Sequence, residues 1–235
     1  MWKLMTTWWS RLLDFVSPRS CVVCGRRLAV TERTLCPVCT LHLPRTGWYL
    51  TPDDNPMARA FWGRIPVERA AALMFYEPQS ELAHVIYQLK YSARPDIGED
   101  MGRLMAHELC PSGFFDGIDL IMPVPLTPRR KRQRGYNQSE LLARGIGEVT
   151  GLPVETHVLR RRHFNTSQTA LGHREREENV AGAFTLAGEE ALAGRHVLLV
   201  DDICTTGATL TACAEALRSV KRIKISVLTL GFTKK

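Results

Sequence analysis

The sequence predicts an α/β fold, a parallel sheet with helices on both faces, preceded by a small four-cysteine module. Three observations carry that reading. Strand-sized apolar runs alternate with helical patterns from residue 70 onward, and parallel strands need such crossover connections. Two C-x-x-C pairs, Cys21 with Cys24 and Cys36 with Cys39, fall before residue 40. Late in the chain, an apolar run closes in two aspartates and a threonine-rich loop. The 235 residues are 45% apolar and 23% charged, which is ordinary globular usage and excludes a collagenous, coiled-coil or disordered chain. No apolar run approaches the ~20 residues that span a bilayer, so no transmembrane segment is expected.

Along the chain, Trp2, Met5, Trp9, Leu12, Leu13 and Val16 recur at helical spacing and predict a short amphipathic helix. Arg11 and Asp14 interrupt it and no small-residue cleavage site follows, which argues against a signal peptide. The helix and the cysteine pairs make up a first unit, residues 1–48. The prolines and Asp/Asn signals of Thr51 to Pro66 read as a linker, residues 49–69. The remainder, 70–235, is the α/β domain. Ala70 to Tyr76 reads as a buried strand, and Ser80 caps a helix with Leu82, Val85, Ile86 and Leu89 on one face. A second helix runs from about Gly98 to Cys110. The strand beginning at Ile118 stops at Pro123 and Pro125, and the next helix begins at Gln138, where Asn137 and Ser139 are capping residues. Val154 to Leu159 reads as a further strand. His196 to Val200 is a strand, Ala208 to Val220 a helix with Leu210, Cys213, Ala214 and Leu217 inward, and Ile223 to Leu230 the last strand.

The cysteine pairs are separated by Gly25 to Leu35. Each C-x-x-C turn aims two thiolates at one point, and two turns complete the tetrahedral sulfur shell that zinc prefers. A closed four-ligand site is structural, because it leaves no position open for water. His42 is an alternative ligand, though a bystander role suits it better. Cys110, Cys204 and Cys213 are scattered and read as small apolar residues. Paired cysteines in a metal pattern suit a reducing compartment, which makes the cytoplasm the expected location.

The most informative segment is VLLVDDICTTGATL, Val197 to Leu210. Its loop, Thr205, Thr206, Gly207, Ala208 and Thr209, opens a helix, so backbone N–H groups and hydroxyls converge on an anion such as phosphate, with Gly207 permitting close approach. Asp201 and Asp202 cannot be there for the phosphate; they suit sugar hydroxyls and a divalent cation. A Walker-type nucleotidase is excluded, since no G-x-x-x-x-G-K-[ST] occurs.

Arg129, Arg130, Lys131, Arg132 and Arg134 crowd six positions after the strand ending at Pro123. From Pro123 to Asn179 eleven Lys and Arg stand against six Asp and Glu, +5 of the chain's net +7. Because the strip leaves the carboxyl end of a strand, it belongs at the sheet edge where open α/β sheets bind ligands. Pyrophosphate is one fitting partner. A single-stranded nucleic-acid backbone is another, with Tyr136, His163 and Phe164 for base stacking. The aperiodic stretch from Arg160, Arg161 and Arg162 to Asn179 reads as a lid or binding loop.

A strand, an acidic pair and T-T-G-x-T resemble the signature of the type I phosphoribosyltransferases. That resemblance implies that Asp201 and Asp202 hold the ribose 2- and 3-hydroxyls of 5-phosphoribosyl 1-pyrophosphate, with Mg²⁺, and that Thr205 to Thr209 hold its 5-phosphate. Together with the cysteine knuckles, QLKY at Gln88 to Tyr91, PVPLTPRRKRQRGYNQ at Pro123 to Gln138 and TSQTALGHREREENVAGAF at Thr166 to Phe184, nearly the whole chain resembles the ComF family. Membership implies a bacterial phosphoribosyltransferase-like protein tied to competence and DNA uptake, with competence-machinery proteins as further partners. Lys90, Tyr91, Arg176 and Asn179 match the family pattern without a role that the residues themselves reveal.

Overall fold

A computed structural model describes residues 19–92, 94–162 and 182–233. The N-terminal amphipathic helix, His163, Phe164, Arg176 and Asn179 lie outside the described residues. In chain order the elements are α1 (Pro37–His42), α2 (Pro56–Arg59), β1 (Arg69–Tyr76), α3 (Glu81–Tyr91), α4 (Pro95–Leu109), β2 (Leu120–Pro123), α5 (Pro128–Arg134), α6 (Gln138–Thr150), β3 (Leu159–Arg161), β4 (Phe184–Leu186), β5 (His196–Cys204), α7 (Ala208–Leu217) and β6 (Lys224–Thr233).

β1, β6, β5 and β2 form one parallel sheet in that spatial order, as the alternation of strands and helices requires. Side chains alternate between its faces. Leu198, Val200, Leu228 and Leu230 pack on one side with Val85, Ile86 and Leu89 of α3, Met101 and Met105 of α4 and Leu142 and Ile146 of α6. Val197, Leu199 and Val227 pack on the other with Met57, Phe61 and Leu210, Cys213 and Leu217 of α7. The expected coverage of both faces is present. α4 and α6 touch backbone to backbone where Gly102 meets Gly145: a Cβ at Gly102 would lie 2.2 Å from the Leu142 carbonyl oxygen, and one at Gly145 would lie 2.0 Å from that of Glu99.

Of the expected capping residues, Ser80 and Asn137 cap their helices and Ser139 does not. Ser80 Oγ accepts from the Ala83 N–H at 3.2 Å, and Asn137 Oδ1 accepts from the Ser139 N–H at 3.2 Å. Two expectations need correction. Val154 to Leu159 is not one strand: Val154 makes a single parallel bridge to Ile121, and Leu159 opens β3, which pairs antiparallel with β4 in a separate small sheet. Thr51 to Pro66, expected as a linker, is packed. Pro56 and Asn55 start α2 instead of loosening the chain, with Asn55 Oδ1 accepting from the Met57 and Ala58 N–H groups, and Met57 and Phe61 are buried against the sheet. The cysteine module is tied to α4 through Thr34 Oγ1, which donates to Asp100, and through Arg45, whose guanidinium meets Glu108 at 2.5 Å.

Candidate functional site

β5 runs four residues past its apolar run, to Cys204, so Asp201 and Asp202 are strand residues, with Asp201 in register with Thr229 of β6. The strand backbone fixes both carboxyls. Asp201 Oδ1 accepts from Ser139 Oγ at 2.8 Å and from the Asp202 N–H at 2.9 Å. Asp202 Oδ2 lies 2.8 Å from Lys90 Nζ, at the end of α3. Burial, joined by the neighbouring charge of Asp202, pushes the Asp201 carboxyl up to about 7, while the Ser139 hydroxyl acts in the opposite direction. Two adjacent carboxylates thus have different surroundings, one answered by a cation and the other by a hydroxyl.

The loop that follows closes on a shallow cavity of about 40 Å³ lined by Asp201 and by Thr205 to Thr209. Gly207 has φ +78°, in the left-handed region, and a Cβ there would meet the Phe61 ring at 3.0 Å; only glycine turns the chain into α7 at this point. Thr206 Oγ1 accepts from the Ala208 N–H at 3.4 Å, so the loop is shaped by its own hydroxyl.

The basic strip is helix α5, capped by Thr127 and leaving the same sheet edge, since the Val124 N–H just beyond β2 donates to the Val200 carbonyl at 2.9 Å. Arg129, Arg130 and Arg132 are exposed and pair with no acidic side chain among the described residues. Arg134 is different. It donates to Gln138 Oε1 at 2.8 Å and sits 5.9 Å from the Tyr91 ring centroid, beside the Tyr87–Tyr91 ring pair. Lys131 approaches Glu140 at 3.7 Å. Tyr136, expected as a stacking residue, instead donates its hydroxyl to the Leu89 carbonyl at 2.8 Å.

Three site residues were beyond sequence reasoning. Ser139, expected as a capping residue, instead donates its hydroxyl to Asp201. Lys90 reaches Asp202. Arg161 of β3, expected only to introduce a loop, lies over the Phe184 ring at 5.2 Å, where burial and then the Arg130 charge lower its guanidinium, and it also feels Asp201. The family position of Lys90 in QLKY was the only signal available for any of them.

The four thiols gather as their spacing requires. The Sγ atoms of Cys21, Cys24, Cys36 and Cys39 all lie within 4.8 Å of one another, and Cys24 to Cys36 is 3.8 Å. A sulfur tetrahedron around zinc, with bonds of ~2.3 Å, has edges of about 3.8 Å, so the residues present fit that ion. The Cys39 N–H donates to Cys36 Sγ at 3.4 Å and brings its thiol down to about 7. Burial raises the Cys21 thiol, but the backbone N–H groups of Cys24 and Cys36 outweigh it and leave the thiol below its ordinary value; burial raises that of Cys39. His42 stands outside the group, with Nδ1 bonded to the Val38 carbonyl at 2.8 Å. Cys204 and Cys213 are buried as expected, and burial pushes the Cys204 thiol up to about 12; Cys110, by contrast, is exposed.

Comparison with known proteins follows the same lines. The phosphoribosyl transferase domain matches residues 134–232. The DNA utilization protein YhgH of Escherichia coli O6:H1 is 34% identical over 200 residues, covering 84% of this chain and 83% of that protein. Competence protein F of Haemophilus influenzae is 34% identical over 110 residues, 46% of this chain and 48% of that protein. Competence protein ComFC of Bacillus subtilis is 30% identical over 112 residues, 47% and 43% of the two chains. Among the described residues no helix is long and apolar enough to cross a membrane. With most of its length related to a protein named for DNA utilization, just under half to proteins named for competence, and residues 134–232 to the phosphoribosyl transferase domain, the chain belongs to the ComF family of phosphoribosyltransferase-like proteins.

Proposed function

We propose that the chain binds 5-phosphoribosyl 1-pyrophosphate with Mg²⁺ and transfers phosphoribose to a nitrogen acceptor, in the cytoplasm and in the service of DNA use. The observation that carries this reading is the placement of Asp201 and the Thr205 to Thr209 loop around one cavity, with Asp202 adjacent. The loop is suited to the 5-phosphate. Asp201 and Asp202 are suited to the ribose hydroxyls, and the negative charge of Asp202, joined by that of Asp201 once its proton is lost, favours the positive charge that grows on the ribose as the bond to pyrophosphate lengthens. The C1–O bond breaks with its electron pair leaving on pyrophosphate, the acceptor nitrogen bonds to C1, and the nitrogen's proton passes to water. Arg129, Arg130, Arg132 and Arg134 line the edge where the leaving group's charge develops. Mg²⁺ supplies charge neutralisation of that group when bound. No protein nucleophile is required.

Zinc in the Cys21, Cys24, Cys36 and Cys39 cluster holds the N-terminal module, which is braced on α4 through Arg45 and Glu108. Calorimetric titration of the full chain with phosphoribosyl pyrophosphate and Mg²⁺, followed by an assay for pyrophosphate release with candidate bases, tests the reading. Saturable binding supports it, and no heat at millimolar ligand rejects it. A second reading, a binding module for single-stranded DNA, is favoured by the exposed cations of α5 beside the Tyr87–Tyr91 ring pair.

A further inference from the structure

The last turn of α3 reaches the acidic pair from outside the matched transferase domain at 134–232. Three consecutive residues of that turn each hold a different part of the sheet edge. The Leu89 carbonyl accepts the Tyr136 hydroxyl at 2.8 Å, Lys90 Nζ lies 2.8 Å from Asp202 Oδ2, and the Arg134 guanidinium stands 5.9 Å from the Tyr91 ring centroid. The turn is therefore held on both sides of Lys90, and a fixed backbone delivers the ammonium to Asp202. Lys90 pairs with no other carboxylate among the described residues.

Both oxygens of Asp202 are engaged in this arrangement. Oδ1 accepts from the Ile203 N–H at 2.7 Å, and Oδ2 faces the lysine. A carboxylate oxygen is the hard donor that Mg²⁺ takes, at ~2.0–2.1 Å, so Asp202 suits that ion. An ammonium on the same oxygen stands where such an ion and its waters would sit. The two cations also repel, and because both side chains are mostly shielded, water screens that repulsion little. A free divalent cation thus meets a carboxylate that is already neutralised. A cation arriving with a phosphate-bearing ligand meets a different balance, because the ligand's negative charge gives the lysine a second place to go.

We infer that Lys90 guards Asp202 against free divalent cations: its ammonium holds the carboxylate until a phosphate-bearing ligand and its cation arrive together, and then passes to the ligand's phosphate oxygens. The inference rests on the phosphoribosyl reading for the identity of that ligand. It makes Lys90 the residue that selects metal-complexed ligand over bare metal, supplied by a helix that lies outside the domain match. Cation and ligand then bind with positive coupling, and each strengthens the other by the same factor.

The test is an electron paramagnetic resonance titration of the zinc-bound full chain with Mn²⁺, a spectroscopic substitute for Mg²⁺, alone and with phosphoribosyl pyrophosphate. Lys90→Met, or Lys90→Gln if the first variant loses its cooperative melting transition, is expected to bind Mn²⁺ alone about tenfold or more tightly than wild type. That is the scale on which one charge within ~4–6 Å changes the proton affinity of a carboxylate. Adding Asp202→Asn should abolish the gain, and Lys90→Arg should bind Mn²⁺ alone as weakly as wild type. Phosphoribosyl pyrophosphate should tighten Mn²⁺ binding in wild type and do so about tenfold less in Lys90→Met. Equal Mn²⁺ affinity in wild type and Lys90→Met, or a gain that survives Asp202→Asn, overturns the inference. Ligand binding with the same Mn²⁺ dependence in both proteins overturns the guard and leaves the transferase reading intact. Phosphoribosyl pyrophosphate that binds neither protein rejects the transferase reading, while an Asp202-dependent gain of Mn²⁺ in Lys90→Met still upholds the guard against free cation.

Discussion

Lys90 Nζ lies 2.8 Å from Asp202 Oδ2, so the last turn of one helix supplies the cation for a carboxylate at the end of the central strand. Both side chains are mostly shielded, at 20% and 15% exposure. Replacing Lys90 with Met leaves Asp202 facing Asp201 with no nearby counter-charge. The expected loss is about 1–2 kcal/mol by denaturant titration at neutral pH. Lys90→Arg should restore most of it, and equal stability of the Met variant and wild type would show that the pair contributes nothing.

Asp201→Asn and Asp202→Asn should each weaken phosphoribosyl pyrophosphate turnover by roughly two to three orders of magnitude, the scale of losing one group that stabilises developing charge. Thr206→Val removes the hydroxyl that shapes the loop and should weaken binding in the same assay. Variants with wild-type rates of pyrophosphate release would detach the aspartates from the chemistry.

The raised Asp201 carboxyl makes stability depend on pH in a defined direction. Between the ordinary aspartate value and about 7 the folded chain holds a proton that the unfolded chain has lost. Stability contributed by this group is therefore present at lower pH and declines as pH rises toward 7. Asp201→Asn should flatten that decline in melting curves recorded from pH 5 to 8. Ser139→Ala, which removes the bond that opposes the shift, should move the decline to higher pH.

One zinc per chain is expected on elemental analysis of protein purified under reducing conditions. Cys36→Ser should release it and unfold residues 19–45, since binding at such sites supplies folding free energy on the order of 10 kcal/mol. The sheet domain has its own core and should keep its melting transition, lowered by loss of the Thr34–Asp100 and Arg45–Glu108 contacts.

If α5 tracks a nucleic-acid backbone, single-stranded DNA should bind with a logarithmic salt slope of about −2 to −3.5, from ~0.7 per phosphate over about three to five contacts. Arg129→Ala, Arg130→Ala and Arg132→Ala combined should flatten that slope. Competition by phosphoribosyl pyrophosphate with Mg²⁺ would assign both anions to the same arginines. Binding unchanged in the triple variant would place the DNA elsewhere.

Local order was legible in the sequence wherever the physics is local. The C-x-x-C spacing brings four sulfurs together because each turn closes within four residues. The Ser80 and Asn137 caps, the alternation of strands and helices and the glycine turn into α7 follow from backbone rules that act over a few positions. Asp201, Asp202 and the threonine loop were visible for the same reason, as one continuous strand-to-helix turn. What no spacing contains is contact between distant segments. Lys90 on Asp202, Ser139 on Asp201, Arg161 over Phe184 and the Trp48, Phe75 and Phe232 cluster all depend on how the sheet orders its strands and which helix ends meet its carboxyl edge. The segment from Thr51 to Pro66 makes the point most plainly. Its prolines and asparagine read as a linker by composition, yet Asn55 and Pro56 among them start a helix once Met57 and Phe61 find an apolar sheet face to cover, because burial of side chains is decided by what lies opposite them and not by their neighbours in the chain.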